Sequence, residues 1–81
     1  MTRPRPEPST LAAAPAGARV RVVHVDAKHA PELAREGVFP GCSIEVVTRT
    51  PLGGPVIVTL GHARLAVAAA VAATIATEPL G

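Results

Sequence analysis

The feature that most constrains this chain is the stretch PLGGPVIVTLGHARLAV, Pro51 to Val67. A Pro–Gly–Gly–Pro cluster separates two apolar runs, and the stretch contains no carboxylate, thiol or lysine. Pro and Gly break both helices and central strands, so each apolar run must be a short, separate element. The run PVIVTLG, rich in β-branched residues, reads as a strand with Val56, Val58 and Leu60 turned inward. PLGG ahead of it reads as a hairpin loop in which Gly53 and Gly54 are free to take positive φ. A catalytic loop would carry a titratable group, so this segment is built for shape.

The rest of the chain supports short strands around an aliphatic core. At 81 residues it forms one small domain, which buries only about 60% of its unfolded surface. Phe39 is the only aromatic and Cys42 the only cysteine, so neither stacking nor an internal disulfide supports the core. SIEVVTRT (43–50) is a strand with Ile44, Val46 and Thr48 on one face and Glu45, Val47 and Arg49 on the other. ARVRVVHVD (18–26) alternates in the same way, Val20 and Val22 opposing Arg19 and Arg21. Its phase changes at Val22–Val23, which predicts a bulge or a strand covered on both faces. KHAPELAREGVFPG (28–41) is helical at its centre: Pro31 suits the first turn, Glu32 the positive end of the dipole and Gly37 the C′ position. Leu33 and Ala34 lie on its buried side, and Pro40–Gly41 makes the following turn.

Residues 1–10, MTRPRPEPST, offer nothing to bury and read as a disordered Pro-rich tail ahead of a domain over 11–81. Ser9 or Thr10 is placed to cap a short helical turn through LAAA. The segment 63–77, ARLAVAAAVAATIAT, divides the local rules. Alanine propensity favours one helix, but such a helix would be apolar on every side and need burial all round. The alternative is a strand ARLAV, one turn over AAAV and a final strand AATIAT.

Charge excludes little and suggests less. The net charge is +2; Arg3, Arg5 and Glu7 sit in the tail, leaving six basic and five acidic residues in the body. That balance gives no basic patch for nucleic acid, and a lone Phe cannot supply stacking. The early Arg residues precede an alanine stretch broken by Pro15, too weak for a secretory signal. The longest apolar run, LAVAAAVAATIA, has 12 residues, short of the roughly 20 that span a membrane. The expectation is a cytoplasmic chain with a reduced thiol.

Candidate chemistry is sparse. His24 and Asp26, two apart on a strand, face the same side and offer at most a weak surface metal site. No HxxxH or CxxC spacing occurs, so no structural metal centre and no cofactor are expected. Glu32 and Glu36 share a helix face, which is ordinary for a solvated surface. Cys42 has no evident base beside it and suits a small apolar role. No enzyme is visible.

Taken in order, these segments resemble one family. Glu36-Gly37-Val38-Phe39-Pro40-Gly41, then a strand, then Pro51-Leu52-Gly53-Gly54-Pro55, then Gly61, Leu65, Ala73 and Ile75 are similar to the FeoA family of ferrous iron transport accessory proteins over about residues 10–80. Family members usually carry Leu where Glu36 stands and often Leu where Val67 stands, and AVAAAVAA is poorer in charge than their polar turn. The resemblance implies a small SH3-like β-barrel of about five strands, with a short helix between the first two and a helical turn near the C-terminus. It therefore implies strand, turn, strand for 63–77. It also implies a non-catalytic role, contacting the ferrous-iron transporter FeoB at the cytoplasmic membrane face. Leu33, Gly37, Pro40 and Gly41 around the helix, and Leu52, Gly53, Gly54 and Pro55 in the loop, are the candidate contacts. Leu52 either faces a partner or tucks under its own loop. The alternative function is a stand-alone metal-sensing SH3-like domain related to the C-terminal domains of iron-dependent repressors. With 81 residues from Met1, no winged-helix reader is expected beside it.

Overall fold

A computed structural model describes residues 9–50 and 52–80. The elements are β1 (Ser9–Thr10), a 3-10 turn (Leu11–Ala13), β2 (Arg19–Val25), α1 (Ala30–Arg35), β3 (Ser43–Arg49), β4 (Val56–Leu60), β5 (Ala63–Val67), α2 (Ala69–Ala72) and β6 (Ile75–Pro79). The strands form one antiparallel sheet in the order β1-β6-β2-β3-β4-β5. One strand more than expected comes from Ser9–Thr10. Composition placed these residues in the tail, yet they pair with Thr77 and Ala76. The buried Thr77 hydroxyl donates to the Ser9 carbonyl at 3.3 Å, which ties β1 in place. Residues 1–8 of the expected tail lie outside the described residues. No side-chain cap forms on the 3-10 turn, because Thr10 is committed to the strand.

The sheet curls but its hydrogen bonding does not close into a barrel, since β1 and β5 are its two edges. Helical segments adjoin both edges instead. The 3-10 turn after β1 touches α2 after β5, and Leu11 and Ala72 are both fully buried. Burial supplies the closure that backbone pairing does not.

The core is aliphatic, as the composition requires. Leu11, Val22, Val46, Val58 and Ile75 are wholly inaccessible, and Val20, Val25, Ile44, Val56 and Val67 surround them. Each such side chain contributes roughly 1.5–3 kcal/mol by leaving water. β2 carries its predicted irregularity: pairing with β6 steps from Val22↔Thr77 to His24↔Ala76, so Val23 bulges out and is exposed. β3 has a second, unpredicted bulge between Val46 and Thr48. It reverses the alternation, so Thr48, expected inside, is exposed.

α1 ends as its sequence foretells. The Val38 N–H donates to the Leu33 carbonyl (2.8 Å) and the Gly37 N–H to the Ala34 carbonyl (3.1 Å), with Gly37 at φ +96. That is the Schellman arrangement, and both Leu33 and Val38 are buried beneath it. Ala34, expected on the buried side, is exposed. A helix of six residues turns less than twice, and its inner face is filled by Leu33 with the half-buried Ala30.

At the C-terminus, tertiary structure overrides alanine propensity. β5 spans ARLAV as the strand-turn-strand reading expects, α2 is one turn, and β6 pairs with both β1 and β2. A continuous helix would have exposed Val67, Ala72 and Ile75 in part; here all three are buried.

Candidate functional site

Two surface features carry the residues singled out by sequence. The first is the loop between β3 and β4. Leu52 is fully exposed, so the tucked arrangement does not occur. It stands at φ +61, and Gly53 follows at φ +77. Two successive positive φ values are what a tight primed hairpin turn demands. The sequence assigned them to Gly53 and Gly54, one residue late. Gly54 is instead required by contact: a β-carbon there would lie 2.6 Å from Thr50 Cβ. Thr50 is held in that position because its hydroxyl donates to the Pro55 carbonyl at 2.6 Å. Beside the loop lies a hollow of about 290 Å³ lined by Ala12, Arg49, Thr50, Leu52, Val56 and Ala69 among others. The loop thus holds one bare leucine out on a backbone fixed by its neighbours.

The second feature is the corner after α1. Leu33 is buried and anchors the helix to the core. Gly37 is half-buried, while Pro40 and Gly41 are exposed. The Gly41 N–H donates to the Val22 carbonyl (2.7 Å), and the Val22 N–H to the Cys42 carbonyl (2.8 Å), fixing the corner to β2. Phe39 is half exposed there, and Val23 is exposed next to these bonds. Sequence reading did not single out Phe39 or Val23 by residue among the candidate contacts. The signals were present: Phe39 is the only aromatic, and the phase change marked Val23. The structure does not bring the corner and the β3–β4 loop into one continuous site.

Reactive groups are scattered. His24 and Asp26 are both exposed, and among the described residues no three potential metal-ligating side chains cluster. Asp26 Oδ1 accepts from the Lys28 N–H at 3.1 Å, an Asx-type turn leading into α1. Cys42 is half-buried against the core. No buried side-chain polar atom among the described residues lacks a hydrogen-bond partner. Among the described residues no helix is long and apolar enough to cross a membrane.

The fold is shared with solved structures. A crystallised iron uptake regulatory protein, FeoA, matches with a TM-score of 0.81 at 26% identity, over 91% of this chain and 99% of that one. An FeoA protein from Chlorobium tepidum matches with a TM-score of 0.80 at 26% identity, over 89% of this chain and 70% of that one. A manganese-dependent transcriptional repressor superposes with a TM-score of 0.82 at 21% identity; 95% of this chain covers 44% of that protein, a likeness of fold alone. No match is found among curated proteins. The FeoA domain profile matches residues 9–79, from β1 to the end of β6, and the chain therefore belongs to the FeoA family, with its SH3-like fold and its association with iron transport.

Proposed function

We propose that this chain is a non-catalytic accessory protein of ferrous iron uptake that works in the cytoplasm by binding an FeoB-type membrane transporter. Family membership supplies the iron-transport setting. The observation that carries the binding role is Leu52, wholly exposed on a loop whose conformation is already fixed. An apolar anchor on a preorganised backbone loses little entropy on docking. The scatter of reactive groups fits a contact protein, because general acid–base or nucleophilic chemistry needs partners within hydrogen-bond reach. Capture of FeoB by the tagged chain is the test. Wild type retains the transporter, and a folded Leu52→Asp variant does not. Unchanged capture by that variant removes the loop from the interface, and no capture by wild type removes FeoB as the partner.

A further inference from the structure

A groove of about 300 Å³ runs between α1 and β5. Its lining has an informative pattern. On one side are Glu32 and Leu33 of α1 with its flanking residues His29 and Glu36, which repeat at helical spacing along one side of the helix. On the other are Leu65, Ala66, Val67 and Ala68, four consecutive residues. A hollow over one face of a strand touches alternate residues, since successive side chains point opposite ways. Contact with consecutive residues means that the groove follows the strand's edge. β5 is an edge of the sheet, paired with β4 only. An edge strand directs every second N–H and C=O outward, ready to pair with another strand.

We infer that this groove is a peptide-docking site, in which an extended, basic segment of a partner protein adds as a strand to the free edge of β5. The floor is apolar, with Leu33 and Val67 buried and Leu65 and Val71 half-buried, so it accepts an apolar side chain. The helix rim carries the exposed carboxylates Glu32 and Glu36 one turn apart, and these select Lys or Arg on the incoming segment. β5 has five residues, enough to pair a segment about 17 Å long. Main-chain bonding to a sheet edge beside a helix gives affinity, while the pocket and the charges give specificity. The inference does not depend on the identity of the partner or on the Leu52 loop.

The probe is the peptide acetyl-Lys-Val-Leu-Val-Arg-amide, titrated into the isotope-labelled full chain and followed by amide NMR. Shifts are expected at residues 65–68 and along the 29, 32, 33, 36 face, with slowed amide exchange in β5. Glu32→Lys with Glu36→Lys, both exposed, weakens binding about tenfold without unfolding the chain. N-methylation of one alternating set of peptide amides abolishes binding, while methylation of the other set leaves it intact. No perturbation at millimolar peptide overturns the inference, as does binding indifferent to both methylation patterns. β5 protection that rises with protein concentration alone would assign the edge to a second copy of the chain. Binding that emerges only after Arg3→Glu and Arg5→Glu would assign the groove to the chain's own N-terminal segment. Either result overturns the assignment to a partner.

Discussion

Thr50 and Gly54 face each other so closely that a β-carbon on Gly54 would stand 2.6 Å from Thr50 Cβ and 2.7 Å from its Cγ2. Thr50 cannot retreat freely, because its hydroxyl and its N–H both reach the Pro55 carbonyl, at 2.6 and 3.2 Å. Gly54→Ala is therefore expected to destabilise the domain by about 1–3 kcal/mol, the usual cost of overpacking. Gly53→Ala meets no atom within 4 Å but holds φ +77, so it carries the torsional cost alone, about 1–2 kcal/mol. Urea titration of both variants checks the pair. A Thr50→Ser, Gly54→Ala double variant regains part of the loss, since Ser keeps the hydroxyl and removes the clashing methyl.

Leu52 carries the opposite imbalance. It is the one non-glycine residue with positive φ among those described, and its side chain is fully exposed. Its conformation costs roughly 1–2 kcal/mol with no burial to offset it. Leu52→Gly is expected to raise the unfolding free energy by about 1 kcal/mol. Leu52→Asp is at least neutral, because Asp tolerates this region better than a branched apolar residue. A stability gain accompanied by loss of transporter capture would show that the leucine serves binding. A loss of stability in both variants would show that it serves the fold.

Gly37 links the helix to the core through its torsion. At φ +96 it lets Val38 turn inward while the Val38 N–H returns to the Leu33 carbonyl. The space around it is ordinary: a β-carbon would lie 3.8 Å from Leu60 Cδ1. The expected cost of Gly37→Ala, about 1–2 kcal/mol, is thus torsional and not steric. Trimming Leu60 does not relieve it. A Leu60→Ala, Gly37→Ala cycle read by thermal unfolding is expected to be additive, and strong coupling would contradict this account.

What was legible in the sequence follows from which interactions are local. The α1 stop was readable because Gly37 and the apolar Val38 complete a motif within one turn. The β2 bulge was readable because Val22–Val23 broke an alternation. The β3 bulge was not, since Val46-Val47-Thr48 alternates acceptably in either phase and only pairing with Ile57 decides it. β1 was hidden for a similar reason: Ser9 and Thr10 are too few to show an alternation, they follow a Pro-rich stretch, and they are held by β6. The segment 63–77 needed the family resemblance, because alanine propensity points to helix and only the burial of Val67, Ala72 and Ile75 decides otherwise. The candidate site was legible as a loop, while its orientation was not. Gly-Gly announces positive φ, yet the turn takes it at Leu52 and Gly53 and leaves Gly54 to make room for Thr50.

Ala72 tests how the sheet is closed. It is wholly buried in α2, which packs against the 3-10 turn holding the equally buried Leu11. If hydrogen bonding closed the sheet, a larger residue in α2 would push a surface turn outward at small cost. Because side-chain packing joins the edges instead, Ala72→Leu must move α2 away from Leu11 and open the join. The expected destabilisation is about 1–3 kcal/mol, a large share of the stability of so small a domain. Exchange should quicken first at the β1–β6 amides, Thr10 and Thr77, and last in β3 and β4. Uniform acceleration across the sheet would mean that the join between β1 and β5 is not a separate unit of stability.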